Sequence, residues 1–285
     1  MKKTRKITAL LLTVLLICSL FSVNVTATDK LNYVVLGDSI AYGSGLINPV
    51  EACYGKIIAD TCDFDYANYS VPGANTNALI NRLSDKTVIE AVKEADIISI
   101  SIGGNDFLMD DIMGLMFDAI VKKDYSAFDK IADVNYTNLC KIMSIIKAAN
   151  PDALILMQTL YNPQQGHIRE PYQQGADRIN AGILRYAEEN PGSITIVDVA
   201  STLNDDMGNF ATDDIHPSAK GNERIAKAVL STLNSLGVTD KTDLVIETKG
   251  VDFTLSATYS WAFRFYGTFL YVLSVILNPV LNAFG

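Results

Sequence analysis

The sequence predicts an α/β fold built on a mostly parallel sheet, and two observations carry that reading. Short β-branched runs ending in Gly, Asn or Asp alternate with stretches of helical apolar spacing, which is the rhythm of βαβ units. Four short polar segments are set against this rhythm: Gly37-Asp38-Ser39, Gly73, Gly103-Gly104-Asn105-Asp106 and Asp213-Asp214-Ile215-His216. Three directly follow expected strands and the fourth precedes the last helix of the pattern. All four are thereby expected at the rim where the loops of an open parallel sheet surround a crevice.

The strands are expected in this order. Residues 32–36 (NYVVL) run into Gly37, 64–69 lead to Pro72-Gly73, and 96–102 (DIISISI) end at Gly103-Gly104. Residues 153–160 (ALILMQTL) end at Tyr161-Asn162-Pro163, and 193–199 (SITIVDV) precede Ala200. Between them, 54–60, 76–83, 135–149, 178–189 and 219–236 carry helical spacing, the last with Ser218 as N-cap and Gly237 as stop. Residues 107–132 interrupt the pattern with Met109, Met113, Met116, Phe117 and Phe128 among scattered acids. They are expected either to cap an acyl pocket, with Met109, Met113, Met116 and Phe117 as candidate substrate contacts, or to pack an ordinary apolar helix face.

Both ends of the chain differ from this body. Met1-Lys2-Lys3-Thr4-Arg5-Lys6, an apolar stretch from Ile7 to Val23 and the small-residue exit Val25-Thr26-Ala27 predict a bacterial secretory signal peptide over residues 1–27. An uncleaved membrane anchor is the alternative. Ile17 before Cys18 does not suit lipoprotein processing, which wants a small residue there. Cleavage leaves about 258 residues, enough for one large domain over 28–238 and an appendage over 239–285. In that tail Phe253, Leu255, Ala257, Tyr259, Trp261, Phe263 and Phe265 alternate with mostly polar residues, which predicts a half-buried strand. No charged residue occurs from Phe265 to Gly285. The expectation for the tail is a membrane-interfacial segment, a true span, or an appendage packed on the domain.

Composition narrows the function. The formal net charge is −9, and losing the basic leader makes the mature chain more acidic still, which argues against nucleic acid as a partner. Cys53, Cys62 and Cys140 remain after the leader; an odd count forbids a complete disulfide set, although Cys53 and Cys62 are near enough in sequence to close a small loop. Only two histidines occur, His167 and His216, and no Cys/His cluster has ligand spacing, so neither a metal nor a cofactor is expected.

The four segments supply the parts of an acyl-transfer site. A serine hydroxyl is hardly ionised at neutral pH and needs a neighbouring base to act as nucleophile. Ser39 stands at the end of the first strand, and His216 is the natural base. Asp213, three residues before His216, can fold back onto one ring nitrogen and leave the other for Ser39; Asp214 is the rival carboxylate. His167 has no carboxylate at such spacing and reads as a surface-loop residue. The Asn105 amide, the Gly73 N–H and the Ser39 N–H are candidate donors to a tetrahedral oxyanion.

Gly37-Asp38-Ser39-Ile40, Gly73, Gly104-Asn105-Asp106 and Asp213-x-x-His216 resemble the four blocks of the SGNH (GDSL-type) hydrolase family, over roughly residues 31–236. The resemblance implies a flavodoxin-like three-layer α/β/α sandwich with a five-stranded parallel core, with Ser39 as nucleophile, Gly73 and Asn105 in the oxyanion hole, His216 as base and Asp213 as its partner. Ile40 replaces the usual Leu, and the tail lies outside the family pattern. The α/β-hydrolase alternative fits poorly, because position 41 is Ala where its nucleophile elbow needs Gly. The expected function is an exported serine esterase working through an acyl-enzyme on lipid-like or short-acyl esters. Alternatives are a carbohydrate O-acetylesterase, an acyltransferase using the same triad, and a non-catalytic surface-binding module. The tail, residues 253–285, is the candidate for membrane-surface association.

Overall fold

The computed structural model describes residues 30–109, 111–204, 206–254 and 257–284; the expected signal peptide lies outside them. β1 (Asn32–Gly37), β2 (Asp65–Asn68), β3 (Ile97–Ser101), β4 (Leu154–Gln158) and β5 (Thr195–Val197) form one sheet in the order β2-β1-β3-β4-β5. Every neighbouring pair is parallel. The expected parallel α/β fold is therefore observed, and the inner strands β1, β3 and β4 are largely apolar and buried because both sides of the sheet are covered.

The helices that matter here are α1 (Ser39–Tyr42), α2 (Tyr54–Cys62), α3 (Thr76–Arg82), α4 (Lys86–Glu94), α5 (Gly104–Leu108), α6 (Ile112–Phe117), α7 (Ser126–Ala149), α8 (Arg169–Glu189), α9 (Ala219–Ser235) and α10 (Ala257–Phe284), with further one-turn helices at Pro49–Ala52 and Val199–Leu203. Alternate strand residues feed two cores. Val34, Leu36, Ile98, Ile100, Ile155 and Met157 pack with α3, α4, α7 and α8. Tyr33, Val35, Ile97, Leu156 and Val197 pack with α2 and α9. The result is the three-layer sandwich, with strand order reversing beside β1, and a crevice opens at such a reversal above the carboxyl ends of the strands.

Sequence periodicity passed over α4, although its signal is present. Asp85 caps it by accepting from the Thr87 and Val88 N–H groups, and Val88 and Val92, one turn apart, are its buried face. Cys53, Cys62 and Cys140 are free thiols. Cys53 and Cys62 stand at opposite ends of α2, whose nine residues span about 13 Å at 1.5 Å per residue; a disulfide needs Cα atoms roughly 6 Å apart.

The tail corrects the strand expected around 253–265. Asp252 forms only an isolated antiparallel bridge to Leu46, and from Ala257 the chain is helical through Phe284. A lone strand would leave its N–H and C=O groups unpaired, whereas a helix pairs its own. The two-residue alternation masked a helical stripe in which Ser260, Phe263, Leu270 and Ser274 are buried. This face packs on α6, on the turn at 118–122 and on the turn at 166–168.

The closest backbone approach in the sheet is at Gly37, which pairs with Ser101. It has φ +136, and a Cβ there would lie 2.0 Å from the Ser101 carbonyl oxygen. Gly37→Ala is expected to destabilise the protein by about 3 kcal/mol or more, combining backbone strain with a clash against main chain that cannot move aside. Thermal unfolding of the variant checks this, and an unchanged midpoint contradicts it.

Candidate active site

β1 delivers its segment directly to the rim. After Gly37 the Asp38 N–H bonds to the Ser101 carbonyl at 3.0 Å, and the Asp38 carboxylate accepts the Ile40 N–H at 2.9 Å as the N-cap of α1. Ser39 is the first residue of this single turn, which ends at Gly43 in the left-handed region. The turn holds Ser39 at the edge of a cavity while most of its surface is covered.

His216 and Asp213 form a closed local unit. Asp213 Oδ2 lies 2.6 Å from His216 Nδ1, and Asp213 Oδ1 accepts the N–H groups of Ile215 and His216, each at 3.0 Å. Burial pushes the Asp213 carboxyl up, but the His216 ring bond, the His216 charge and the two backbone N–H groups outweigh it and hold it below the ordinary value. An ionised Asp213 requires the proton on Nδ1, which leaves Nε2 as an acceptor for a hydroxyl proton. The rival Asp214 faces elsewhere: its carboxylate is held by Ser260 Oγ and the Arg264 guanidinium of α10.

Two turns bring the remaining polar groups together. Val71-Pro72-Gly73-Ala74 is a β-turn closed by the Ala74 N–H on the Val71 carbonyl at 3.0 Å. Pro72 sets the first corner and Gly73 the positive φ of +79 required at the second. Asn105 lies in the first turn of α5, and its Nδ2 donates to the Ala74 carbonyl at 2.9 Å, which uses one of its two amide hydrogens. Asp106 secures the pair by accepting from both the N–H and the hydroxyl of Thr76. Spacing alone gave Asp106 no such purpose.

Ser39, Gly73, Asn105 and His216 line one cavity of about 340 Å³, within the range of small-ligand sites. Ile102, Leu108, Met109, Leu160, Tyr172 and Val199 supply its apolar wall. Of the four candidate substrate contacts only Met109 is among the lining residues. Met116 is fully buried in the core, Phe117 packs partly against that core, and Met113 is exposed. The correction comes from how α6 docks: Leu115 and Met116 at its C-terminal end enter the core, whereas Met113, one turn earlier, stays at the surface. Leu160 and Tyr172 come from the β4 end and α8, far from any motif, so no sequence signal marked them. His167 stacks on Tyr271 of α10 with ring centroids 4.0 Å apart and does not line the cavity.

A hydroxyl, a carboxylate-oriented imidazole and amide donors on one partly apolar cavity define the class of a hydrolase suited to acyl transfer. A family model for GDSL-like lipase/acylhydrolases matches residues 35–224. This chain belongs to the GDSL-like lipase/acylhydrolase family and is a carboxylic ester hydrolase. It is 25% identical over 219 residues to the uncharacterized protein YpmR of Bacillus subtilis, covering 71% of this chain and 81% of that one. It is 26% identical over 214 residues to the spore germination lipase LipC of Bacillus licheniformis, covering 69% and 93%. Among solved structures, the lipase Lip_vut3 from a goat rumen metagenome superposes with a TM-score of 0.57 at 22% identity, covering 71% of this chain and 97% of that one.

Beneath Ser39 the site has a buried polar floor. Ser101 Oγ approaches Asp38 Oδ1 at 3.5 Å, and the buried Gln158 amide lines the same cavity. Burial pushes the Asp38 carboxyl up to about 7, against the lowering effects of the Ile40 N–H and of His216. A carboxyl raised from 3.8 to about 7 on folding binds its proton more tightly in the native state, so its ionisation costs stability as pH rises through that window. Asp38→Asn cannot ionise and keeps the capping oxygen. The difference in melting temperature, variant minus wild type, is expected to grow from pH 4 to pH 7 and then level off. A flat difference across that range contradicts the assignment.

Proposed function

We propose that this chain is an exported serine esterase that cleaves lipid-like or short-acyl carboxylic esters through an acyl-enzyme. The observation that carries this reading is the single cavity shared by Ser39, Gly73, Asn105 and His216, with Asp213 2.6 Å from the imidazole. Ser39 Oγ attacks the ester carbonyl carbon while His216 Nε2 takes the hydroxyl proton. The tetrahedral oxyanion receives hydrogen bonds from the Ser39 and Gly73 N–H groups and the second amide hydrogen of Asn105. Collapse breaks the bond to the alcohol oxygen, which leaves with the proton held by His216. Water then attacks the acyl carbon with His216 again as base, releasing the acid and restoring Ser39. Asp213 orients the ring and stabilises its charged form throughout.

The acyl group is assigned to the wall formed by Leu108, Met109, Leu160 and Tyr172, and the lipase name of the Bacillus licheniformis relative favours acyl esters in the same direction. Ser39→Ala and His216→Ala are expected to lower turnover by more than about 10⁴-fold. Asn105→Ala is expected to lower kcat by about 10²–10³-fold with little change in KM. p-Nitrophenyl esters of rising chain length, together with fluorophosphonate labelling of Ser39, check these roles. Activity confined to acetate points instead to O-acetyl substrates, product carrying an added alcohol points to acyl transfer, and an unlabelled Ser39 defeats the reading.

Export follows from the leader pattern over residues 1–27. Association with a lipid surface is assigned to α10, whose outer stripe of Trp261, Phe265, Phe269, Val272 and Ile276 is more than half exposed and carries no charge. Because the protein is acidic, a zwitterionic surface suits it better than an anionic one. Trp261 is the sole tryptophan, so intrinsic emission reports this stripe alone. Phosphatidylcholine vesicles are expected to shift that emission to the blue, also in Ser39→Ala. Emission unchanged at saturating lipid contradicts the assignment.

A further inference from the structure

The family match ends at residue 224, yet the chain beyond it returns to both halves of the site. The segment around 249–253 pairs with the loop that follows α1. The Phe253 N–H bonds to the Gly45 carbonyl at 2.7 Å, the Ile47 N–H to the Val251 carbonyl at 2.8 Å, and the Val251 N–H to Asn48 Oδ1 at 3.0 Å. The same segment reaches the His216 loop, where Thr212 Oγ1 donates to the Phe253 carbonyl at 3.3 Å. α10 then grips Asp214, the residue between Asp213 and Ile215, through Ser260 and Arg264.

Three features give that grip its meaning. Asp214 has φ +54, a left-handed conformation that is strained for a residue other than glycine and persists where surroundings impose it. This twist sends adjacent carboxylates in different directions, Asp213 toward the imidazole and Asp214 toward α10. Arg264 is the only charged residue of α10, and the Asp214 side chain it meets is only 14% exposed. The loop is held at two further points on its inner side: Gln164 Nε2 donates to the Asp214 carbonyl at 2.9 Å, and the Tyr161 hydroxyl to the Ile215 carbonyl at 2.7 Å. Without Arg264, the Asp214 carboxylate loses its only counter-charge from α10 and keeps only the Ser260 hydroxyl from that helix.

We infer that Asp214 and Arg264 are positioning residues, and that the C-terminal helix is an intramolecular clamp setting the orientation of His216 through the Asp214 turn. This rests on the reading of His216 as the base. The clamp acts on chemistry and not on substrate affinity, because neither Asp214 nor Arg264 lines the cavity.

The test uses the full chain with Arg264→Gln, Arg264→Lys, Ser260→Ala, Asp214→Asn and the double variant Asp214→Asn/Arg264→Gln. kcat and KM are measured on a soluble p-nitrophenyl ester, with melting temperatures recorded alongside. Arg264→Gln is expected to lower kcat about tenfold with KM within about twofold, since small misplacements of a catalytic group are costly. Lysine keeps the charge without the planar fork, so Arg264→Lys is expected to recover most of the loss. The double variant is expected to lose no more than the worse single variant, as two partners in one interaction are not additive. A folded Arg264→Gln with wild-type kcat, or single losses that multiply in the double variant, overturns the clamp. Where Arg264→Gln does not fold, Ser260→Ala and Asp214→Asn decide: a reduced kcat at unchanged KM supports the clamp and wild-type kcat in both overturns it. Wild-type protein that neither turns over nor labels with a fluorophosphonate defeats the esterase reading itself, a failure distinct from that of the clamp.

Discussion

The pairing of β1 with β3 through a side-chain-free Gly37 is the constraint on which the geometry of the site depends. The Ser101 carbonyl occupies the space a Cβ would need at 37, and one residue later it accepts the Asp38 N–H. The two strands therefore stop at the same height. The turn carrying Ser39 springs from one of them, and the Gly103-Gly104-Asn105 turn springs from the other. Any outward shift of β1 separates Ser39 from the Asn105 amide, because no flexible segment lies between either residue and its strand.

From that shared rim the site is assembled by short polar ties. Asp38 caps the turn carrying Ser39, Asp106 binds the Gly73 turn to the helix carrying Asn105, and Asp213 closes on His216. Asp38 and Asp213 act on groups two and three residues away, and Asp106 ties segments 30 residues apart, so each turn is held before any substrate arrives. Preorganisation of this kind is what lets amide donors stabilise developing charge without reorganising at the moment of reaction. The Asp38 carboxyl stands apart, since burial that raises its proton affinity leaves it in place as a capping group while taking it out of the ordinary carboxylate range.

The C-terminal helix gives this member of the family a feature that the matched region lacks. One face joins the core through Phe263 and Leu270 and reaches the His216 loop through Arg264, while the opposite face presents aromatic and aliphatic side chains outward. A single element thus borders both an exposed apolar stripe and the loop that carries His216. Its lone charge is turned toward Asp214 and not toward solvent, which keeps the outer stripe uncharged along its length.

Much of this was legible in the residues themselves. Apolar runs stopped by Gly or Asn marked the five strands, because a buried parallel strand needs both faces apolar and a sharp exit. Asp213 and His216 were legible as a pair because a three-residue turn closes without help from the rest of the fold. Elements whose state depends on distant partners were not. The alternation at 253–265 matches a strand, but from Ala257 the segment is a helix whose buried side packs near Ile168, a seat that no local pattern announces. Met113 and Met116 are alike in sequence, and docking of α6 alone buries one and exposes the other. Leu160 and Tyr172 reach the cavity from segments without a motif, and Asp214 acquires its partner from a residue 50 positions away. The strand pattern and the local chemistry of each turn depend on neighbours along the chain and could be read from it; which side chains face the cavity and what holds the His216 loop depend on contacts between segments that folding brings together.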